Sequence, residues 1–550
     1  MNIDSSNAVS QLDGQGLKEL IEAGLTWLKT NQQIVNALNV FPVPDGDTGT
    51  NMLLTMQAAY DEIANSGEKN IGKMAQAVAR GALIGARGNS GVILSQLWRG
   101  FARACDNLPH LDTELLVKAL AEARNTSYKG VVRPVEGTIL TVGKDIAAAA
   151  EEAHTQDLQE MLEIIVKAAD DSVQHTPELL PILKQAGVVD SGGKGLFFIL
   201  EGMLRHLNHQ PLETALMTVQ PLAVMQISET METIEPGQDY EVVVDFRPGS
   251  ELILEDFYEH LSEMGTSIQV GEGEGIYRMH IHVPTENRYI PIDYIMGIGT
   301  ITKVYIENLM DQMEGLEKEK ESHPIKLAAV EPGQIAVVAV SPGPGISRIF
   351  ASLGVAAIVE GGQTMNPSTK EILGAFENLP TDKIIILPNN KNIIMAAEAT
   401  SSMTVKQVAV IRSSTVPQGL SAMLRLIPDM EFETVVEEMT DALQDVETGE
   451  ITIATRSVTI NDVEVDQGQV IALHNGKLVQ ATSSLEEACL GLLEECETND
   501  RERITLFYGD NISRPEVNQI IDQIRSTYPA HEIELHEGGQ PHYQFIIAVE

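Results

Sequence analysis

The sequence predicts a multidomain protein with an N-terminal all-α domain, a central α+β domain and a C-terminal α/β domain. At 550 residues the chain is too long for a single hydrophobic core, so two to four domains are expected. Apolar residues recur at helical spacing from Leu17 to about Leu207, whereas β-branched runs begin at Tyr240. Beyond Pro324, short apolar strands alternate with helical stretches, which is typical of parallel strands joined by crossover helices.

The helices of the first domain are separated by glycine-rich turns, and the unusual chemistry of the chain lies in those turns. In the central domain, β-branched runs at 240–246 and 276–283 surround a helix-like segment from Leu254 to Met264. A charged helix is predicted from Ile306 to about Glu321, and Ser322–Pro324 marks the boundary to the last domain.

The last domain is interpreted as an open α/β sheet with a further β-rich part. Its predicted strands lie at 335–340, 357–360, 384–387 and 408–411, with helices at 346–353, 369–378 and 392–400. From about Met430 further strands are expected, and the chain ends in a strand at 543–549. Cys489 and Cys496 lie on one helix face and are interpreted as packing residues.

Charge and cysteine content narrow the functional classes. The 79 acidic and 37 basic residues give a formal net charge of −42, which disfavours non-specific binding to nucleic acid or to an anionic membrane. A phosphate-bearing ligand must therefore be bound locally. The three cysteines form neither a disulfide framework nor a CxxC metal motif. The polar N-terminus lacks the plan of a signal peptide and no apolar run approaches membrane-spanning length, so a cytoplasmic protein is expected.

The most informative segment runs from Asn39 to Met52 and sets two carboxylates, Asp45 and Asp47, two residues apart. Gly46 between them lets the backbone turn so that both carboxylates aim at one place. The helix predicted to follow, from Thr48 to about Ile63, begins with small residues whose free amides attract anions. Because Mg²⁺ is usually held by one or two carboxylates plus substrate phosphates, this loop predicts a metal–phosphate site.

The same loop has a simpler interpretation. It is a proline-rich turn in which Asp47 caps the following helix. A cap needs one acidic residue and explains neither the second carboxylate nor the glycines, so the metal interpretation is preferred.

Three further glycine-rich turns open predicted helices of the same domain. The turn Gly85–Gly91 would expose successive amides to a phosphate chain, with Arg87 as a positive charge. Taken alone, this turn is equally compatible with a tight helix–helix connection. Four such turns in one helical domain suggest a common end at which a nucleotide lies. The residues that these three turns contribute are Arg87, Gly88, Asn89, Ser90, Gly91, Glu136, Thr138, Asp190, Ser191, Gly192, Gly193 and Lys194.

The motifs Pro44–Met52, Gly85–Gly91 and Asp190–Gly195 resemble the ATP-binding L-subunit domain of bacterial dihydroxyacetone kinases. The whole chain is similar to the ATP-binding component of bacterial fatty acid kinases, since the runs Glu360–Thr369 and Leu387–Ile394 match as well. The resemblance covers nearly the whole chain.

This resemblance implies three domains. It places a helical barrel of the dihydroxyacetone kinase L (DAK2) type at residues 9–207, a central α+β domain at 225–322 and a DegV-like α/β domain at 325–550. In the last domain, the runs 361–369 and 388–392 follow predicted strands, where ligands gather in open α/β sheets. Their Asn and Gln side chains suit a recognition surface that docks a lipid-carrying partner.

The resemblance also implies ATP and two Mg²⁺ ions as cofactors. Asp45 and Asp47 match the metal-ligand positions of the family, and Asn39 stands where dihydroxyacetone kinases carry one more Asp. An amide can coordinate through its oxygen but adds no charge. The catalytic set is Asp45, Asp47 and Arg87, with Lys194 as an alternative cation for the transferring group. The residues expected around the nucleotide are Thr48, Asn51, Gly88, Asn89, Ser90, Gly91, Thr138, Asp190, Gly192 and Gly193.

A second metal site is suggested in the central domain. His280 and His282 alternate along a predicted strand, so both imidazoles face the same side. Similar fatty acid kinases pair such a His-x-His with a cysteine to hold Zn²⁺, whereas the corresponding strand here begins Tyr240–Glu241, and a carboxylate can also ligate zinc. The alternative is a pair of histidines on an exposed sheet face.

The metal–phosphate loop together with this resemblance implies an ATP- and Mg²⁺-dependent kinase that phosphorylates the carboxylate of a fatty acid. The resemblance implies that a separate DegV-type protein presents the fatty acid, that the product is an acyl phosphate, and that the kinase is a homodimer through the central region. One alternative is phosphorylation of dihydroxyacetone or a similar small ketone, although nothing in the chain visibly replaces the separate sugar-holding protein of that system. A further alternative is a non-catalytic, nucleotide-sensing scaffold, against which the retention of Asp45 and Asp47 argues.

Overall fold

The structure is a computed structural model of the chain. It describes residues 10–40, 46–212, 220–221, 239–250, 252–273, 276–308, 325–363, 365–454, 458–460, 463–496, 498 and 501–550. Asp45 lies outside the described residues, as does most of the stretch between Leu207 and Tyr240.

The first domain is all-helical, as the spacing of its apolar residues predicts. Its helices are α1 (Gly14–Thr30), α2 (Gln32–Ala37), α3 (Thr48–Ile63), α4 (Ile71–Ile84), α5 (Gly88–Ala104), α6 (Thr113–Lys129), α7 (Ile139–Glu152), α8 (Leu158–Leu179), α9 (Pro181–Ala186) and α10 (Ser191–Leu207). One apolar face of each long helix packs into a shared core that includes Leu28, Met52 and Val173. Inside this core lies an apolar cavity of about 120 Å³.

The long helices pack against their neighbours along the chain, and α10 returns to pack against α1. Short connections join them, so consecutive long helices run in alternating directions. As a result, α3, α5, α7 and α10 all begin at the same end of the domain, and these are the helices that follow the four glycine-rich turns. The common end that the sequence suggests is therefore present.

The central domain is an antiparallel sheet with two helices. Its strands are β1 (Gln220–Pro221), β2 (Tyr240–Pro248), β3 (Thr266–Gly273), β4 (Ile276–Val283) and β5 (Gly299–Asn308), and its helices are α11 (Leu254–Ser262) and α12 (Ile290–Ile298). The strand order is β1-β3-β4-β2-β5, and β1 runs parallel to β3.

The predicted helix from Ile306 to about Glu321 is wrong at its N-terminal end. Residues 306–308 continue strand β5, and Ile306 pairs with Val242 of β2. The alternating Thr300-Ile-Thr-Lys-Val-Tyr-Ile306 run has the period of a strand, and pairing with a buried neighbour strand overrides the charge pattern that follows it. The rest of the predicted helix lies outside the described residues.

The last domain begins with a parallel sheet, as predicted. Its strands β6 (Ile335–Ser341), β7 (Ala357–Glu360), β8 (Lys383–Leu387) and β9 (Gln407–Val410) lie in the order β7-β6-β8-β9. Helices α13 (Pro344–Ser352), α14 (Thr369–Glu377), α15 (Ile394–Thr400), α16 (Val416–Met423) and α17 (Phe432–Asp441) connect or follow these strands. The segments after β7 and β8 leave the carboxyl edge of the sheet on either side of β6, where open α/β sheets bind their partners.

A mixed second sheet completes the domain, in the order β14-β13-β10-β17-β15-β16. Its elements, together with the β11–β12 hairpin, are β10 (Glu447–Ile453), β11 (Val458–Ile460), β12 (Val463–Val465), β13 (Val470–His474), β14 (Lys477–Thr482), α18 (Leu485–Glu495), β15 (Arg503–Tyr508), α19 (Arg514–Thr527), β16 (Glu532–Glu537) and β17 (Tyr543–Val549). The predicted final strand is thus present. Cys489 and Cys496 are buried in its core, which confirms that they are packing residues. In the part of the chain that the structure describes, no helix combines the length and apolar character needed to cross a membrane.

Candidate functional site

Asp47 lies at the N-terminus of α3, but its carboxylate makes no hydrogen bond that caps this helix. By contrast, Asp13, Asp112 and Asp157 each accept backbone amides at the start of their helices. The side chain of Asp47 is nevertheless buried, and its hydrogen-bond partner is not a backbone amide of α3 but Asn366 of the C-terminal domain. The simpler interpretation of Asp47 as a helix cap is therefore wrong.

Asn36 performs the capping that sequence reasoning assigned to Asp47. Its Oδ1 accepts hydrogen bonds from the backbone amides of Gly49 and Thr50, at 2.7 and 3.2 Å. These two amides are consequently engaged within the protein, which corrects the expectation that the first amides of α3 are free for an anion. Asn36 was missed because a cap from 13 residues upstream has no local sequence signature.

The turn before α5 brings its residues directly against α3. Gly88 has a φ of +56°, and a Cβ on it would lie 2.7 Å from Nδ2 of Asn51. A Cβ on Gly91 would lie 2.4 Å from Oγ1 of Thr55. The backbone amide of Arg87 also donates to Oγ1 of Thr55. The glycines therefore allow the start of α5 to contact the first turns of α3, which places Gly88 beside Asn51.

The third and fourth turns meet each other through Asp190. Its carboxylate caps α10 by accepting from the amide of Gly193 at 2.6 Å, and it also accepts from the amide of Ile139 in α7. Burial raises the pKa of Asp190 to about 7 despite these two hydrogen bonds. Thr138 caps α7 through its Oγ1. Asp190, Thr138 and Gly193 thus tie two helix N-termini together, and their contact with a nucleotide remains a prediction.

Glu136 and Lys194, two further charged residues of these turns, have intramolecular partners. Glu136 accepts hydrogen bonds from Tyr128, Thr141 and Lys144. Lys194 lies 3.9 Å from the centre of the Phe197 ring and 3.4 Å from Asp170, so it is held against α8 and its own helix. Arg87 is the turn cation that lies beside Gly88.

The largest departure from sequence expectation is that the C-terminal domain reaches this end of the helical domain. Asn366 donates from Nδ2 to Oδ2 of Asp47. Nη1 of Arg87 donates to the backbone oxygen of Asn366 at 2.9 Å, and Nη2 lies 3.1 Å from Oε2 of Glu371. Asn89 donates to Oδ1 of Asn392 at 3.2 Å.

Apolar and backbone contacts extend this interface. Thr369 donates from Oγ1 to the carbonyl oxygens of Leu83 and Ile84, and from its amide to that of Ala86. Ala86 and Val92 belong to the same buried cluster as the strands of the parallel sheet. The polar runs after β7 and β8, which sequence reasoning reserved for a separate partner, therefore contact the helical domain of the same chain.

In the central domain, His280 and His282 lie side by side as predicted, with ring centres 5.0 Å apart. Nε2 of His280 lies 3.2 Å from Oε1 of Glu241 on the neighbouring strand. Both histidines are buried, so the alternative of an exposed pair is wrong. Burial and the neighbouring His282 lower the pKa of His280 to about 4, which keeps it neutral as a metal ligand must be. Among the described residues, however, no group of three or more His, Cys, Asp or Glu side chains is arranged to hold a metal ion.

Comparison with known proteins assigns all three regions. Residues 42–205 match the DAK2 domain, residues 235–316 match the middle domain of the FakA-like fatty acid kinase family, and residues 336–550 match the C-terminal domain of the same family. Uncharacterised proteins of Staphylococcus aureus strains USA300 and N315 are each 38% identical over 98% of this chain and 100% of their own length.

Solved structures also align with part of the chain. The fatty acid kinase B3 protein of Streptococcus pneumoniae, loaded with linoleic acid, is 14% identical with a TM-score of 0.28, over 39% of this chain and 99% of its own. DegV of Bacillus subtilis, a fatty acid binding protein, is 14% identical with a TM-score of 0.29, over 39% of this chain and 98% of its own. On the strength of the full-length relatives and the three domain matches, the chain belongs to the FakA-like fatty acid kinase family of DAK2-domain proteins.

Proposed function

We propose that this protein is an ATP- and Mg²⁺-dependent kinase that phosphorylates the carboxylate of a fatty acid presented by a separate DegV-type fatty-acid-binding protein. The observation that carries the proposal is the buried carboxylate of Asp47, which does not cap its helix and lies at the glycine-turn end of the DAK2 region. Family membership supports the kinase class. The products are ADP and an acyl phosphate.

The proposed transfer needs alignment and charge neutralisation rather than proton abstraction. A carboxylate oxygen forms a bond to the γ-phosphorus of ATP while the bond from that phosphorus to the β–γ bridging oxygen breaks, and ADP leaves with that oxygen. The acceptor is already an anion, so no general base is required. Arg87 is the proposed cation that offsets charge on the transferring group, and the amides of Asn89 and Ser90 at the start of α5 are proposed to bind phosphate oxygens.

The residues at this end fit magnesium, which is a hard cation that prefers oxygen ligands. Asp47 supplies a carboxylate, and Oδ1 of Asn366 is buried without a hydrogen-bond partner. Asp45 and Asn39 are the further ligands proposed from the sequence, and Thr48 flanks them at the start of α3. Bound magnesium would neutralise phosphate charge in the site.

Three finer elements of the proposal concern assembly. A homodimer through the central domain is supported by β5, an edge strand whose Val304 and Tyr305 are exposed, since exposed apolar edge strands tend to pair. Zinc binding by His280, His282 and Glu241 is implied by the family resemblance alone, because the described side chains are not arranged to hold a metal ion. The DegV-type partner is inferred from the family alone.

The test compares ATP turnover in three mixtures: with a fatty-acid-loaded DegV-type protein, with the same protein stripped of lipid, and with dihydroxyacetone. Formation of ADP and of a hydroxylamine-reactive acyl phosphate only with the loaded carrier is expected. Turnover with dihydroxyacetone alone would favour the small-ketone alternative. Binding of ATP without any turnover in the three mixtures would favour the nucleotide-sensing scaffold.

The variant Asp47→Asn links this activity to the site. We expect turnover to fall about 100-fold or more, because a charged ligand is lost. We expect the free energy of unfolding to change little, since Asn36 rather than Asp47 caps α3. Asp61→Asn, at an exposed position of the same helix, is the matched control and should leave turnover unchanged. Near-normal turnover by Asp47→Asn would refute the proposed site.

A further inference from the structure

A short segment of the C-terminal domain lies over the carboxylate of Asp47. This docking segment, residues 365–371, comprises the end of the loop after β7 and the first turn of α14. The C-terminal part of this segment is fixed by a capping box, in which Ser368 and Glu371 exchange hydrogen bonds at the start of α14. Thr369 anchors it to the last turn of α4 through two side-chain hydrogen bonds, at 2.6 and 2.8 Å.

Within the docking segment, Asn366 is the residue that enters the site. It is 2% exposed, its backbone oxygen accepts from Arg87, and its Nδ2 donates to Asp47. A Cβ on Gly88 would lie 3.6 Å from the same Nδ2, so the carboxamide sits between the turn before α5 and the start of α3. Asn366 therefore contacts two elements of the site that sequence reasoning assigned to metal and phosphate.

Of the two polar atoms of the Asn366 carboxamide, only the nitrogen has a hydrogen-bond partner. Its Oδ1 is buried without a hydrogen-bond partner, a state that is costly in a protein interior and calls for a partner absent from the protein itself. A neutral oxygen beside a buried carboxylate attracts a cation and repels an anion. The terminal torsion of asparagine is broad and roughly two-fold, so the side chain can exchange its amide nitrogen for its oxygen beside Asp47 without moving the backbone.

We propose that Asn366 belongs to the magnesium–triphosphate site, so that the C-terminal domain supplies an oxygen ligand to a site otherwise built on the helical domain. The inference rests on the proposed function, since it concerns the same cation. In the structure the amide group of Asn366 donates a hydrogen bond to the carboxylate of Asp47; a bound cation would be held by that carboxylate and by Oδ1 of Asn366. Asn366 is thus a metal-binding residue 319 positions away from Asp47.

One consequence is thermodynamic. Because Asn366 is fixed to the docking segment, magnesium–nucleotide binding and docking of the C-terminal domain stabilise each other, and the coupling is the same in both directions. Arg87 takes part in this coupling, as its guanidinium joins the site to both Asn366 and Glu371. Nucleotide binding is then expected to reduce hydrogen exchange in the first turn of α14.

The test measures ATP affinity by calorimetry on the full chain, with and without saturating Mg²⁺, for Asn366→Ala and Asn366→Asp. We expect Asn366→Ala to weaken affinity in Mg²⁺ by about 10- to 100-fold, the range typical of ligand-supporting groups, and to leave the Mg²⁺-free affinity nearly unchanged. Asn366→Asp keeps an oxygen ligand and adds a negative charge, so we expect it to lower the Mg²⁺ concentration at which ATP binding is half-maximal and to weaken Mg²⁺-free ATP binding through charge repulsion. Asn378→Ala and Asn378→Asp, at an exposed position after the same helix, are the matched controls.

The possible outcomes separate this inference from the proposed function. If Asp47→Asn loses Mg²⁺-dependent ATP binding while Asn366→Ala retains it in full, the inference is wrong and the proposed function stands. If Asn366→Ala binds ATP more tightly than the natural protein, the docking segment obstructs the site and the inference is equally wrong. If Asp47→Asn itself retains normal Mg²⁺ dependence, the proposed function fails. Thermal unfolding of each variant checks that the fold is intact.

Discussion

Replacement of Gly88 by alanine tests whether the glycine turn before α5 is built for close approach to α3. Gly88 has a φ of +56°, a region in which a side chain costs about 1–2 kcal/mol. The new Cβ would also lie 2.7 Å from Nδ2 of Asn51. Asn51 is 5% exposed and has little room to yield, so overpacking adds about 1–3 kcal/mol. We therefore expect Gly88→Ala to lower the free energy of unfolding of the helical domain by about 2–5 kcal/mol.

Gly187→Ala is the matched control. Gly187 has a φ of +66°, and no atom lies within 4 Å of the position its Cβ would take. This variant carries the conformational cost without the contact, so a loss of about 1–2 kcal/mol is expected. The difference between the two variants isolates the contact between Gly88 and Asn51.

Both variants can be followed by tryptophan fluorescence during urea unfolding. The chain has two tryptophans, Trp27 in α1 and Trp98 in α5, so the signal reports on the helical domain alone. ATP affinity provides the second readout, and we expect Gly88→Ala to weaken it while Gly187→Ala does not. Equal destabilisation by the two variants, or an unchanged ATP affinity in Gly88→Ala, would show that the turn is an ordinary helix connection.

Two further variants address the packing of the helical domain. Burial raises the pKa of Asp190 to about 7, so the folded protein binds more protons than the unfolded chain between about pH 4 and 7, and the contribution of this group to stability falls as pH rises through that window. We expect Asp190→Asn to flatten the dependence of the free energy of unfolding on pH, measured by urea unfolding. An unchanged pH dependence would contradict the raised pKa of Asp190. Gly143 faces the apolar cavity, where a Cβ would meet only Leu97 at 3.4 Å. We therefore expect Gly143→Ala to stabilise the helical domain by about 1 kcal/mol in urea unfolding. The control is Gly100→Ala, whose Cβ would lie 2.4 Å from a backbone oxygen, and it should destabilise the domain in the same assay.

Local signals in the sequence were sufficient to predict most helices and strands, and to predict that the four glycine-rich turns lie at one end of the helical domain. Helix α3 spans Thr48–Ile63 as predicted, because small residues follow Asp47 and an apolar face repeats at helical spacing. The parallel strands of the last domain were likewise marked by short apolar runs between polar turns. The error at Ile306 arose because a charged stretch follows a strand without a break, so the helical charge pattern was extended too far towards the N-terminus.

The contacts made by individual polar side chains could not be predicted from the sequence. The cap at the start of α3 comes from Asn36, and the burial that perturbs Asp190 depends on packing between α7 and α10. Asn366 belongs to the Glu360–Thr369 motif, yet nothing in that motif indicates which surface it contacts. Periodicity and turn chemistry describe an element and its neighbours, whereas docking between domains depends on shape and on partners hundreds of residues away.

The net charge of the whole chain makes a neutral metal ligand from the C-terminal domain physically reasonable. With a net charge of −42, every carboxylate added near a triphosphate increases repulsion that local cations must offset. Ionic strength screens charges beyond about 8–10 Å, so the decisive groups are those within the site. An asparagine supplies an oxygen without adding charge, and the nearby carboxylate of Glu371 is paired with Arg87 at 3.1 Å. If Asn366 is a cation ligand, as proposed, the C-terminal domain contributes to cation binding without making the site more repulsive to ATP.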